Sequence, residues 1–341
     1  MPRVSVVVPN WNGSALLNKL LHDLACQDLP PAEVIVIDNA STDDSASLAR
    51  AAGAIVIALE SNQGFSRAVN RGIEASQGDW IAILNNDVEL EPTWLSKLLE
   101  RAQDRDCWFA TGKVLDARNR SYMDGADDAI CRGACAWRCG HGRPDGPFWN
   151  QTRPIQFAPF TAAVFRAELF RRLGLLDDDF ESYLEDVDFG IRCSIQSLSG
   201  VYVPEAVAYH YGSATLGRWH PETVRRIARN QLLLVAKHYP ANWIWRSGWA
   251  VLAAQGLWGL VALRHGAGYA FLQGKLEGVR KFRKTRRYGT PALWRVLDRS
   301  ERQIHEFQKL AGFDFYWRAY FALTWWHRPS DCGASDSPTH A

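Results

Sequence analysis

Four short apolar runs punctuate the first quarter of the chain: VSVVV at 4–8, EVIVID at 33–38, AIVIAL at 54–59 and WIAIL at 80–84. Each is nearly continuous in apolar, mostly β-branched residues, the pattern of a strand buried on both faces. Between them the period changes. Leu16, Leu17, Leu20, Leu21 and Leu24 follow one helical face behind Ser14, which is expected to serve as N-cap. Further helices are predicted up to Ala52 and from residues 62–66 to Ala75. Strands alternating with helices at this spacing predict a parallel sheet with right-handed crossovers, so all four strand ends meet at one edge.

That edge gathers Pro9 and Asn10, Asp38 and Asn39, Asn62 and Gly64, and Asn85, Asn86 and Asp87. Each group is polar, follows an apolar run and precedes a helix, where a ligand can settle and helix N-termini can receive phosphate. No GxGxxG follows the first strand and no GxxxxGK[ST] occurs, which disfavours dinucleotide dehydrogenases and P-loop kinases. Asp87 and Glu89 alternate with Val88, so in an extended backbone both carboxylates project to one side. Two hard oxygen ligands suit Mg²⁺ or Mn²⁺ that also holds a diphosphate. A polar turn ahead of a helix near Pro92 is the plainer account of these residues taken alone.

Past Leu99 the pattern loosens. A strand is expected at 108–114, a long Gly-rich loop at 124–150, a return strand at 157–165 and a helix at 166–173. Long loops in compact domains are usually functional. This one holds Cys131, Cys135, Cys139 and His141; helical spacing would align the three thiols, leaving a zinc site open beside simple packing. FESYLEDVDFGIR at 180–192 sets Glu185, Asp186 and Asp188 at a helix start, where the dipole favours acids. The run 201–210 is a last strand ending in His210.

VSVVVPNWNG at 4–13, VIDNASTD at 36–43, NQGF at 62–65, LNNDVE at 84–89 and EDVDFGIR at 185–192, through His210, resemble family 2 glycosyltransferases, in particular rhamnosyltransferase-like and galactofuranosyltransferase-like members. The resemblance implies an α/β, GT-A type fold: a mixed, mainly parallel sheet flanked by helices. It implies that Asp38 hydrogen-bonds the base of a nucleotide sugar, with Pro9 and Asn10 on the rim around base and ribose. Asn12, Asn39, Asn62, Gly64 and Asn86 complete the nucleotide-binding set. Asp87 corresponds to the metal-binding aspartate, Glu89 to the other carboxylate of a DXD-type motif, here NNDVE, and His210 to a third metal ligand. Asp186 corresponds to the general base, with Glu185 holding the acceptor or sharing that role, and Asp188 and Arg192 as supports. Asp124 lies where relatives place residues near donor sugar and acceptor. Inverting transfer is one in-line displacement needing a carboxylate to take the acceptor proton and a cation for the leaving diphosphate.

Composition changes the picture mainly in the last third. Net charge is +2, so no global field points to nucleic acid. Seven Cys, an odd number without regular pairing, fit a reducing compartment. The run at 4–8 is too short for a signal-peptide core. Trp is frequent, at 15, and concentrated late. Residues 247–263 are apolar but at the lower limit for a membrane span, and residues 275–287 supply seven basic residues against one acid. A span would set that cluster against the positive-inside tendency; an interfacial segment on anionic lipid avoids the conflict, and an ordinary helical pair is the alternative.

The chain therefore divides into a nucleotide-sugar half at 1–90, an acceptor and catalytic half at 91–219, a helical, membrane-associating region at 220–329 and a disordered tail at 330–341. The expected protein is a metal-dependent, inverting glycosyltransferase on the cytoplasmic face of the cell membrane. It would move a sugar, first of all rhamnose from dTDP-rhamnose, to a lipid-linked or glycan acceptor. A processive synthase is disfavoured because Thr215 stands where the Gln of Gln-X-X-Arg-Trp would precede Arg218. A sugar nucleotidyltransferase would want a basic residue in the loop at 10–13. A non-catalytic glycan- or lipid-binding scaffold would have no use for both Asp87 and Asp186.

Overall fold

A computed structural model describes residues 2–212 and 219–324. Thr215 and Arg218, and the tail expected at 330–341, lie outside the described residues. The elements in chain order begin with β1 (Val4–Asn10), α1 (Ser14–Ala25), β2 (Glu33–Asp38), α2 (Ser45–Ala51), β3 (Ile55–Ala58), α3 (Phe65–Ala75) and β4 (Trp80–Leu84). They continue with β5 (Val88–Leu90), α4 (Trp94–Asp104), β6 (Phe109–Asp116), β7 (Met123–Gly125), β8 (Asp128–Ile130), β9 (Ala136–Arg138), β10 (Arg153–Ile155) and β11 (Ala162–Arg166). The remainder comprises α5 (Ala167–Leu173), α6 (Glu185–Ile195), β12 (Gly200–His210), α7 (Pro221–His238), α8 (Trp243–Arg264), α9 (Gly268–Thr285), α10 (Ala292–Ala311) and α11 (Phe315–Thr324).

The strands form one mixed, mainly parallel sheet in the order β10-β12-β6-β11-β4-β1-β2-β3. β1, β2, β3, β4, β6 and β12 run one way; β10 and β11 run against them. β5 adds to β12 and β7 to β6, while β8 and β9 form a separate hairpin. Chain order reverses at β1, since β2 and β3 extend to one side and β4 lies on the other. Such a switch point opens a crevice at the carboxyl ends of the two central strands. Here it opens between Asn10 and the residues after Leu84.

Alternation along the central strands feeds two cores. Val4, Val6 and Val8, with Trp80, Ala82 and Leu84, face the apolar sides of α1 and α4. Val7, Ile81 and Ile83 face the opposite way, toward α3, Phe165 and Phe189. Fully buried side chains such as Leu17, Leu98 and Trp94 each contribute about 1.5–3 kcal/mol of transfer free energy, which fixes the register. The α7 and α10 helices pack Leu233, Leu234, Leu293 and Leu297 against Phe157, Phe180 and Ile191.

Two local expectations change. Gly13 takes the cap position of α1 and Ser14 is already helical. Within the loop expected at 124–150, the alignment of three thiols leaves a zinc site open; Cys131 and Cys135 lie in the turn of the β8–β9 hairpin, with the Cys131 N–H donating to the Cys135 carbonyl at 3.1 Å. A spacing of four serves a hairpin turn as readily as a helix. Side-chain amides reach two of the sulfurs: Gln231 and Gln255 at Cys135, Gln303 at Cys139. Burial pushes all three thiols up, Cys135 to about 11, and keeps them protonated, whereas zinc takes thiolate. Among the described residues no His, Cys, Asp and Glu cluster completes a metal set, so the zinc reading is withdrawn.

Candidate active site

The crevice is a cleft of about 1040 Å³. One end is lined by Pro9, Asn10, Asn39, Asn62, Gly64 and Asn86, the other by Asp124, Asp128, Arg138, Glu185, Asp186 and Asp87 with His210. The polar strand ends hold each other in place. Asn86 Nδ2 donates to Asn10 Oδ1 at 2.7 Å, and Asn39 Nδ2 donates to Asn62 Oδ1 at 3.0 Å. Asn12 and Asp38 do not line the cleft. Asn12 Oδ1 accepts the Thr42 N–H at 2.7 Å, and the buried Asp38 carboxylate accepts the Ser41 N–H at 3.2 Å.

Asp87 lies in a turn rather than an extended strand, and this separates it from Glu89. Glu89 sits on β5 with its carboxylate taken by Tyr211 Oη at 2.6 Å and Arg120 Nη2 at 2.8 Å. The expected pairing of the two carboxylates on one side is therefore absent, and Glu89 does not line the cleft. His210, at the end of β12, takes its place. Its Nε2 lies 3.1 Å from Asp87 Oδ1 and its Nδ1 lies 2.9 Å from Asp124 Oδ2. Burial would lower the imidazole's pKa, but the bonds to Asp124 and Asp87 outweigh it and hold it up at about 9.

Among the described residues Asp87 and His210 are a two-group set, short of a complete protein metal site, of the kind a divalent ion shares with phosphate and water. A carboxylate oxygen and an imidazole nitrogen converge, and the second imidazole nitrogen is fixed by a carboxylate, the usual outer partner of a metal-bound histidine. Mg²⁺ and Mn²⁺ held by one or two protein groups take their other ligands from phosphate and water.

On the other side α6 opens into the cleft. Burial, then the neighbouring Asp186 charge, raises the Glu185 carboxyl well above its usual range, and its Oε2 is buried without a hydrogen-bond partner. Asp186 is more accessible, with its Oδ2 3.7 Å from Arg138 Nη2. Arg138, from β9, also places Nη1 2.8 Å from Thr161 Oγ1 and 3.8 Å from Asp124 Oδ2, and Nε 3.2 Å from Asp128 Oδ1. One guanidinium thus stands between the Asp124–His210–Asp87 chain and the acids of α6. Neither Arg138 nor Asp128 carries a local sequence signal; only the fold brings them in.

The segment leading into α6 is conformationally costly. Glu181, Tyr183 and Leu184 all have positive φ, at 60°, 72° and 67°. Such residues persist only where their surroundings over-determine them, and they cluster at functional sites. Asn230 of α7, fully buried, supplies that constraint by donating to the carbonyls of Phe180, Ser182 and Tyr183 at 2.7–2.9 Å. Gly64, at φ 85°, lets the loop ahead of α3 approach this segment, since a Cβ there would sit 3.0 Å from the Glu181 carbonyl oxygen.

Asp188 faces away from the cleft. It accepts from Arg192 Nε at 3.1 Å and pairs with His238 Nε2 at 2.6 Å, anchoring α6 to α7. Burial alone would raise its pKa, but Arg192 and then His238 overcome this and hold it at about 2. A depressed carboxylate contributes stability that is present above the unfolded pKa and is lost as pH falls through the folded one. Asp188→Asn is expected to cost about 2 kcal/mol at neutral pH and to flatten the fall in stability between about pH 4 and 2. Urea unfolding at several pH values reads this directly; identical acid limbs in both proteins would refute it.

Comparison with known proteins gives this geometry its place. Residues 5–174 match the family described as glycosyl transferase family 2. An N-acetylglucosaminyl-diphospho-decaprenol L-rhamnosyltransferase of Mycobacterium tuberculosis is 26% identical over 243 residues, 62% of this chain and 77% of that protein. A structure of GalNAc-T7 with UDP, GalNAc and Mn²⁺ superposes with a TM-score of 0.61 at 16% identity, covering 90% of this chain and 58% of that one. The mannosyltransferase PcManGT of Pyrobaculum calidifontis, in complex with GDP-Man and Mn²⁺, gives 0.51 at 16% identity, covering 95% and 87%. With the switch-point cleft and the acids at its rim, these matches make the chain a glycosyltransferase of family 2 with the GT-A fold.

Proposed function

We propose that the protein is an inverting, metal-dependent glycosyltransferase that moves a sugar from a nucleoside diphosphate to a lipid-linked or cell-surface glycan acceptor, at the cytoplasmic face of the membrane. Rhamnose from dTDP-rhamnose is the first assignment, supported by the relative from Mycobacterium tuberculosis, whose name specifies L-rhamnosyl transfer and a diphospho-decaprenol carrier. The observation that carries the reading is Arg138, 3.8 Å from Asp124 on one side and 3.7 Å from Asp186 on the other. A diphosphate-binding set and a candidate base lie one side chain apart.

The asparagines at the strand ends, with Pro9 and Gly64, would receive base and ribose, and Asp38 would order the Ser41 turn beside them. Asp87 and His210 would hold Mg²⁺ or Mn²⁺, which when bound supplies positive charge for the leaving diphosphate. Asp186 takes the proton of the acceptor hydroxyl as its oxygen bonds to the anomeric carbon and the diphosphate departs from the opposite face. Arg138 stands beside Asp186, its Nη2 3.7 Å from Oδ2. Glu185, protonated by burial, donates or accepts a hydrogen bond at the acceptor instead of competing for the proton.

Isothermal titration with dTDP, UDP and GDP, with and without Mn²⁺, tests the reading. One nucleotide is expected to bind about tenfold or more tighter with the ion, a gain of about 1.4 kcal/mol. Asp87→Ala should abolish that gain while retaining metal-free binding. If Mn²⁺ strengthens no nucleotide, the metal-dependent reading falls and a non-catalytic scaffold takes its place.

A further inference from the structure

Beyond the cleft, the largest unexplained feature is the outer surface of α8 and α9. On α8, Trp245, Trp249, Leu252, Leu260 and Leu263 are exposed at spacings of three, four or eight residues, one helical face. On α9, Tyr269, Leu272, Leu276 and Val279 repeat the pattern. Trp245 is 93% exposed, Leu252 64% and Leu276 57%. Two consecutive stripes of large side chains are more than scattered surface hydrophobics and mark a binding surface. Trp249 donates its indole N–H to the Leu323 carbonyl of α11 at 2.8 Å, and the other side chains of the two stripes stand more exposed than it does.

The opposite faces are committed to the fold. Small residues let α9 press onto α7: a Cβ at Gly274 would meet the Arg225 carbonyl, and one at Gly278 would meet Leu232. The one acid between residues 243 and 287, Glu277, is held by Arg225. Two of the cations in the basic run also turn inward. Lys275 donates to the Ala228 carbonyl and Gln231 at 2.9 Å, and Arg286 donates to the carbonyls of Val235 and Ala236. Lys281 is half-buried, 3.9 Å from Glu181, which leaves Arg280, Arg283, Lys284 and Arg287 exposed at the end of α9, and Arg246 exposed near the start of α8. Arg280, Arg283, Lys284 and Arg246, with no acid on α8 or α9 left unpaired and Asp179 facing only the Arg287 end, stand next to apolar stripes and a bare tryptophan and match a surface whose acyl region is apolar and whose phosphates are anionic. Among the described residues no helix is long and apolar enough to cross a membrane, which favours helices lying in the surface.

We propose that the α8–α9 face docks on an anionic lipid bilayer, with the leucines and tryptophans in the acyl boundary and Arg280, Arg283, Lys284 and Arg287 on the headgroup phosphates. The inner face of α9 packs on α7, whose Glu222, Arg226 and Ile227 line the cleft. The bilayer would then lie one helix away from the acceptor side, which extends the reading of a lipid-linked acceptor and rests on it only for that purpose.

Co-sedimentation of the full chain with phosphatidylcholine vesicles, and with the same vesicles containing phosphatidylglycerol, tests the surface without any acceptor. Binding is expected to the anionic vesicles and to weaken with salt. Arg283→Glu with Lys284→Glu should weaken it by about tenfold or more. The triple change Trp245→Ser, Leu252→Ser and Leu276→Ser should also abolish it; if that protein does not fold, the charge reversal alone decides. No vesicle binding by the parent protein, or equal binding by the charge-reversed one, overturns the proposal. So does a concentration-dependent dimer, measured without lipid, that the triple change disrupts, since it assigns the face to a second copy. Nucleotide binding with Mn²⁺, read on the same samples, separates the two readings. Its loss with vesicle binding intact refutes only the transferase mechanism, and the converse refutes only the docking face.

Discussion

Asp186→Asn is expected to lower the rate of sugar transfer by about 10²–10⁴-fold, the range for loss of a positioned general base. Nucleotide binding should stay within about twofold, because the base acts on the acceptor and not on the donor. Glu185→Gln is the informative contrast. The Glu185 carboxyl is already protonated through burial and the adjacent Asp186 charge, so an amide of the same shape changes little and should cost less than about tenfold. Both acids head the same helix and both line the cleft, so position alone does not separate them. Accessibility and the Arg138 guanidinium do. Transfer from a radiolabelled nucleotide sugar to membrane lipid, compared across the two variants, measures the difference. A large loss in Glu185→Gln with a mild one in Asp186→Asn would reverse the assignment.

The parts of the site visible in the sequence were those with a local cause. Runs such as VSVVV and WIAIL leave the chain no choice but a buried strand, so the polar residues that follow each must emerge at the sheet edge. Asn10, Asn39, Asn62 and Asn86 meet in the cleft for that reason. The acids of α6 and the terminal His210 were placed by their position at the start or end of an element, but their roles came only from the resemblance of EDVDFGIR and His210 to family 2 members. What failed was inference from spacing where two backbones share a spacing. Asp87 and Glu89 diverge because a turn intervenes, and the thiols of Cys131 and Cys135 lie in a hairpin turn. What stayed hidden depends on distant chain. Arg138 stands among Asp124, Asp128 and Asp186 through the register of β8 with β9, and Asn230 clamps residues nearly fifty positions earlier. An asparagine inside a helix gives no sign of this in sequence.

Glu301→Ala is expected to destabilise the protein by about 3–5 kcal/mol, the usual cost of removing one partner from a buried ion pair. Glu301 on α10 and Arg132 in the hairpin turn are almost fully enclosed, 2% and 3% exposed at the side chain. The carboxylate accepts from Arg132 Nη2 at 3.0 Å, Arg132 Nε at 3.1 Å, the Arg132 backbone N–H at 2.8 Å and Tyr320 Oη at 3.1 Å. Removing it strands a charged guanidinium, an N–H and a hydroxyl together. Against the 5–15 kcal/mol typical of whole domains, the loss is a large fraction of the total. The joint change Glu301→Leu with Arg132→Met should recover much of it, because neither charge is then left buried alone. Urea midpoints for the three proteins give the answer; a shift below about 1 kcal/mol in Glu301→Ala would show that water reaches the pair. The consequence extends to function. The hairpin that Glu301 fastens carries Asp128 and Arg138, and Tyr320 adds α11 to the same knot. The C-terminal helices therefore do more than present a surface: α10 and α11 hold in place the arginine on which the cleft is built.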